Sequence, residues 1–151
     1  MLIQSEKNSY NININKNNVL VLIAGAGKSS RMGCCKALLK INNKTFIEHI
    51  STELLNAGFN NVFATLPESP DYYQCLEKIN TYSIAYAKNL WPTLGLTGSI
   101  KTAFNKMTKN HQALLICPID MPFLSYKLLN NFINLWQQQE SKPTIIIPKT
   151  K

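Results

Sequence analysis

Arginine is nearly missing from this chain: of its 16 basic residues, all but Arg31 are lysine. Long apolar runs are missing too. None approaches the roughly 18 residues of a membrane helix, and the N-terminus lacks the charged, apolar and small-residue succession of a secretory leader. No membrane partner is expected, and the cytoplasm is the expected location. Histidine is confined to His49 and His111, with no ligand partners at metal spacing, so both read as structural. The 4 cysteines have neither zinc-site pairing nor the density of a disulfide framework. Cys117 closes an apolar run and reads as a small buried hydrophobe. Cys34 and Cys35, lying beside the loop, read as structural or neutral ahead of the alternative, exposed oxidation-prone thiols with a redox role. A basic block is also absent. The net charge of +8 comes from lysines scattered between Lys7 and Lys151 without aromatic interleaving, which argues against nucleic acid as a partner. The same field draws polyanionic small molecules such as nucleoside triphosphates.

What is present suits one globular domain: 151 residues, 45% of them hydrophobic, enough to bury a core. Residues 1–17 are polar and Asn-rich and read as a flexible tail ahead of a domain over 18–151. Val19, Leu20, Val21, Leu22, Ile23 and Ala24 make a continuous apolar strand of the doubly buried kind. A helix follows the next loop, with Thr45 and Glu48 as a capping box, Phe46, Ile47, Ile50 and Leu54 on its apolar face and Gly58 as its stop. Further strands are expected over 61–66, 82–87, 113–117 and 144–147. Helices are expected over 70–78, opened by Ser69 and Pro70, then over 97–107 and 125–139.

Strands alternating with helices predict an α/β fold, an open and mainly parallel sheet with helices on both faces. Ligands of such sheets bind outside the carboxyl ends of the strands, where strand order switches. Three loops converge there: the one after Ala24, the segment 95–99 and the turn 118–122.

The first loop reads Gly27-Lys28-Ser29-Ser30-Arg31-Met32-Gly33-Cys34-Cys35-Lys36. A Walker A loop needs a glycine five residues ahead of Gly27, where this chain has Leu22 inside the strand. A dinucleotide fingerprint begins well at Gly25 and Gly27, then meets Ser30 in place of its third glycine and finds no acidic residue closing the second strand. A plain glycine turn leaves Arg31, Gly33 and Lys36 unexplained. Successive amides of such a turn form an anion nest, and cations a few residues apart neutralise phosphate charge.

The loop resembles the opening motif of the MobA-like NTP transferases: Leu-Ala-Ala-Gly, one variable residue, Ser-Ser-Arg-Met-Gly, two residues, Lys and an apolar pair, here Leu38 and Leu39. Ala24 and Gly25 depart from the usual Leu-Ala. In that family the loop wraps the triphosphate. The resemblance therefore assigns phosphate binding to the amides of Ala26, Gly27, Lys28, Ser29 and Ser30 and to the side chains of Arg31 and Lys36. Lys36 and Arg31 become the expected catalytic pair. Gly95-Leu96-Thr97-Gly98-Ser99-Ile100 resembles the family's base and ribose loop, which adds Gly95, Thr97, Gly98 and Ser99 to the nucleotide-binding set. Cys117-Pro118-Ile119-Asp120-Met121-Pro122 resembles its Asp-Met-Pro turn, and makes Asp120 the expected Mg2+ ligand.

The resemblance implies a three-layer, Rossmann-like fold of nucleotide-diphospho-sugar transferase type, with its C-terminal part missing, since members continue into a Gly-His-Pro segment and a later acidic residue. It implies transfer of NMP from an NTP to a phosphorylated acceptor such as molybdopterin, with release of pyrophosphate. Ala26 before Gly27 leans toward CTP, with GTP second. The competing expectation is a non-catalytic nucleotide-binding remnant or regulatory domain. An unpaired edge at the last strand implies a homodimer through that side.

Overall fold

Val19–Ala24 is the central strand of the protein in the computed structural model, which describes residues 2–4, 15–27, 34–68, 70–121, 123–138 and 145–146. The strands are β1 (Leu2–Gln4), β2 (Val19–Ala24), β3 (Lys40–Ile41), β4 (Lys44–Thr45), β5 (Val62–Leu66), β6 (Ala85–Lys88), β7 (Ala113–Pro118) and β8 (Ile145–Ile146). The helices are α1 (Phe46–Asn56), α2 (Asp71–Ile79), α3 (Leu96–Phe104) and α4 (Tyr126–Gln137). The main sheet runs β6-β5-β2-β7-β1-β8. Its first four strands are mutually parallel, and β1 pairs antiparallel with both β7 and β8.

Every residue of β2 is buried, and the period of two sorts its side chains into two cores. Val19, Val21 and Ile23 face a cluster holding Ile50 and Leu54 of α1, Ile79 of α2, and Ile133 and Trp136 of α4. Leu20, Leu22 and Ala24 face a smaller cluster with Ala103 of α3, Leu114 and Ile116. This is the three-layer α/β architecture expected from the alternating pattern, with α3 alone on the second face among the described helices.

The start of α1 follows from its capping box. Thr45 Oγ1 accepts from the Glu48 amide at 3.3 Å, while Glu48 Oε2 accepts from the Thr45 amide at 2.7 Å and its hydroxyl at 2.6 Å. Gly58, at φ +83°, ends the helix.

Several expectations shift. Residues 40–45, expected as loop, form the hairpin β3–β4, whose two turn residues Asn42 and Asn43 have φ of 48° and 65°, a conformation asparagine tolerates. The third parallel strand begins at Ala85 rather than at 82, because a 3-10 turn over Asn80–Tyr82 prolongs α2. The polar tail expected over 1–17 differs at both ends. Leu2–Gln4 pairs with Ala113, Leu114 and Leu115, giving the backbone edge of β7 its partner. Lys16 reaches the Ala57 carbonyl at 2.7 Å and Asn130 Oδ1 at 2.6 Å, clamping the entry to β2 against α1 and α4. Residues 5–14 lie outside the described residues. At the other end Ile145–Ile146 forms β8, the outermost strand among the described residues, beside β1.

Candidate functional site

The chain passes from β2 to β5 to β6 on one side of the sheet, then crosses back to β7 on the other side of β2. The switch in strand order therefore falls between the carboxyl ends of β2 and β7. A cavity of about 200 Å³ opens there. Ala24 and Gly27 line it from the end of β2, and Pro118, Ile119 and Asp120 from the end of β7; Leu96 and Ser99 of α3 and Lys36 complete its wall. The loops after β2 and β7 are stitched together beyond the strands, since the Ile119 amide donates to the Ala24 carbonyl at 3.4 Å. Ile119 is buried and leaves Asp120 exposed beside it.

Across the mouth of the cavity Lys36 Nζ lies 2.9 Å from Asp120 Oδ2. Lys36 opens a 3-10 turn over Lys36–Leu38 in which Ala37 is fully buried, so the turn is anchored while its lysine projects outward. Side-chain exposures of 34% and 55% leave both charges wet. Such a pair adds at most about 1 kcal/mol to stability, so its importance is the charge it presents to a ligand.

Three glycines shape the walls. Gly25 donates to the carbonyls of Ile23 and Thr65, and a Cβ there would sit 2.9 Å from the Thr65 carbonyl oxygen. Gly95, at φ 55° and ψ −128°, turns the chain into α3 in a conformation that L side chains rarely adopt. Gly98 is buried, and a Cβ on it would run into the carbonyl of Trp91 and approach Asn89 Oδ1. Asn89, only 4% exposed, holds that approach in place by accepting from the Trp91 amide at 2.9 Å. Thr102 Oγ1 donates to the Gly98 carbonyl at 2.9 Å.

Residues 20–151 match the MobA-like NTP transferase domain. The chain belongs to that family. Among curated relatives, a molybdenum cofactor guanylyltransferase from Xanthomonas euvesicatoria pv. vesicatoria is 32% identical over 113 residues, covering 75% of this chain and 52% of the relative. The bifunctional protein GlmU of Staphylococcus haemolyticus is 23% identical over 130 residues, 85% of this chain and 28% of GlmU. The chain thus spans about half or less of the length of these relatives. Two solved structures share its fold. A nucleotidyl transferase from Methanothermobacter superposes with a TM-score of 0.66 at 20% identity, over 78% of this chain and 57% of that one. A cytidylyltransferase from Leptospira borgpetersenii gives 0.58 at 16% identity, over 82% and 50%.

Of the residues singled out on the MobA-like motifs, Gly27, Lys36, Ser99 and Asp120 line one cavity. Ala26 is buried behind Gly27, Thr97 is exposed and Gly98 is packed against Trp91. Lys28, Ser29, Ser30 and Arg31 lie outside the described residues. Asn89 was not anticipated, because its partner relation to Trp91 and Gly98 depends on a backbone approach that spacing does not reveal. Among the described residues no three His, Cys, Asp or Glu side chains gather as a metal cluster, and Asp120 is the carboxylate that lines the cavity. Asp120 already holds a cation, the Lys36 ammonium, and a hard oxygen donor of this kind suits Mg2+, which takes one or two carboxylates and fills its shell with water and substrate phosphate. No described helix is long and apolar enough to cross a membrane.

Proposed function

We propose that this chain is a nucleotidyltransferase domain that binds a nucleoside triphosphate in the crevice between β2 and β7 and transfers its NMP to a phosphorylated acceptor. The observation that carries this reading is the Lys36–Asp120 pair at the switch point, formed by residues 84 positions apart that both sit on MobA-like motifs. An acceptor phosphate oxygen forms a new bond to the α-phosphorus, and the bond from that phosphorus to the bridging oxygen breaks, releasing pyrophosphate. Lys36 turns from Asp120 to the phosphates and neutralises charge that grows on the leaving group. Arg31 serves as the second cation of the loop, with the amides of Ala26, Gly27, Lys28, Ser29 and Ser30 as donors. The amides at the start of α3, around Gly95 and Thr97, and the Ser99 hydroxyl face the base and ribose. Gly98 supports them by letting α3 pack on Trp91.

Mg2+, held by Asp120, would lower the charge on the phosphate oxygens. The substrates are CTP, with GTP second, and molybdopterin as the acceptor. The relative from Xanthomonas, named for guanylyl transfer, supports the acceptor class, and Ala26 supports cytidylyl transfer. We place the reaction in the cytoplasm, with residues 18–151 as the body of the working domain, Leu2–Gln4 paired to it as β1, and a homodimer formed along the β8 edge.

The test is pyrophosphate release from CTP or GTP with molybdopterin and magnesium, run beside Lys36→Ala. Release that falls at least tenfold in the variant supports transfer. Tight CTP binding without release supports the second reading, a nucleotide-binding domain without turnover.

A further inference from the structure

The residue just before Lys36 is half of a sulfur pair. Cys35 Sγ lies 3.8 Å from Cys75 Sγ, joining two positions 40 residues apart. Cys35 caps the 3-10 turn that carries Lys36 and is half-buried, open to small reagents on one side. Cys75 sits in the middle of α2 with no exposed surface, inside the main core. The two sulfurs thus differ in access while already in contact.

We propose that Cys35 and Cys75 are an oxidisable thiol pair that a hydroperoxide converts to a disulfide, pulling the Lys36 turn toward α2 and weakening the triphosphate site. The Cys35 sulfur attacks one peroxide oxygen; the S–O bond forms, the O–O bond breaks, and the departing oxygen leaves as water or alcohol with the thiol proton. Cys75 then attacks the Cys35 sulfenic sulfur. The S–S bond forms, the S–O bond breaks, and hydroxide leaves as water with the Cys75 proton. The sulfur pair gives up two electrons, and the peroxide takes them.

The roles divide by environment. A hydrogen bond from Cys75 outweighs the cost of burial and, with the amides of Ala37 and Leu38, brings Cys35 down to about 7, the range of attacking thiolates. Cys75 is pushed up by that same shared hydrogen bond, by burial and by the neighbouring charges of Cys35 and Asp71, and keeps its proton until the Cys35 thiolate has been consumed. A disulfide holds its sulfurs about 2.05 Å apart, so closure draws them together by roughly 1.8 Å. Cys75 is fixed in a packed helix, and the displacement falls on the half-buried Cys35 and the backbone that it shares with Lys36 at the start of the 3-10 turn. The crosslink itself rests only on the two sulfurs; its effect on ligand affinity rests on the reading of Lys36 as a phosphate-binding residue.

The experiment treats the full chain, in a Cys34→Ser background that removes the exposed neighbouring thiol, with hydrogen peroxide. Peptide mapping without reductant and binding of inorganic tripolyphosphate are the readouts. The expected result is a Cys35–Cys75 crosslinked peptide lighter by two hydrogens, reversed by dithiothreitol, with tripolyphosphate affinity down about tenfold. Adding Cys75→Ser should leave a Cys35 sulfenic acid that dimedone traps. Two free thiols after treatment overturn the pair. A crosslink with unchanged tripolyphosphate affinity overturns its coupling to the site. Failure of the reduced chain to bind tripolyphosphate overturns the role of Lys36 and the coupling drawn from it, while a crosslink seen in the same sample upholds the thiol pair.

Discussion

Lys36 Nζ rests 2.9 Å from Asp120 Oδ2, so the cation assigned to the phosphates occupies the carboxylate assigned to the metal. The two groups compete for each other whenever ligand is absent. Lys36→Ala should weaken CTP binding by about 10- to 100-fold, the worth of one charge-assisted contact. Asp120→Asn should behave differently with and without magnesium. In metal-free buffer it removes the carboxylate charge that competes with the phosphates for Lys36 and leaves CTP affinity equal or higher; with magnesium it lowers affinity. Titration calorimetry under both conditions reads this reversal. Melting temperatures should hardly move in either variant, because the pair is exposed.

How far the sequence revealed this site depended on what kind of signal each residue left. The runs that became β2 and β7 were legible because strands buried on both faces need apolar residues throughout. The start of α1 was legible because Thr45 and Glu48 are a local pair. By contrast, β1 and the β3–β4 hairpin have only two or three residues per strand and leave too short a pattern to read. Lys36 and Asp120 were each marked by a motif, but their contact across 84 residues is a product of the β2–β7 pairing. The nearness of Cys35 to Cys75 left no sign at all, since it arises from the packing of α2 on the 3-10 turn.

Gly98→Ala should destabilise the protein by about 2–3 kcal/mol, the cost of forcing an extra carbon into a filled space. Alanine gains about 1 kcal/mol over glycine inside a helix, but here its Cβ meets the Trp91 carbonyl, a backbone group that cannot swing aside. Gly27→Ala is the control. Among the described residues no atom beyond its chain neighbours lies within 4 Å of a Cβ at Gly27, so its stability in urea should stay close to that of the parent while Gly98→Ala unfolds at clearly lower denaturant.

The Glu48 carboxyl gives the fold an acid-sensitive limb. Burial works to raise it, but hydrogen bonds from the Thr45 hydroxyl and amide, with Lys78 and Lys44 nearby, bring it below its ordinary value. In the folded state the group therefore holds its proton less tightly than in the unfolded chain. The resulting stability is present at neutral pH and is lost as pH falls through the ordinary glutamate range, near 4.5, toward the lower folded value. Urea melts between about pH 6 and pH 3 should show Glu48→Gln with a flatter acid limb than the parent. Thr45→Ala should cost about 1 kcal/mol at neutral pH through loss of the cap.

Asn89 offers a way to separate the two halves of the proposed site. It lines no part of the cavity, yet its Oδ1 fixes the Trp91 amide, and Trp91 in turn sets where α3 begins through its approach to Gly98. Asn89→Ala removes that acceptor and should loosen the first turn of α3, seen as faster hydrogen exchange at the buried Ser99 and Thr102 amides. Nucleotide affinity should fall because the base and ribose side loses its support. Inorganic tripolyphosphate touches only the phosphate side, so its affinity should stay at the parent value in Asn89→Ala and drop in Lys36→Ala. If Asn89→Ala lowers tripolyphosphate and CTP binding alike, the residue supports the whole fold instead of positioning one wall of the cavity.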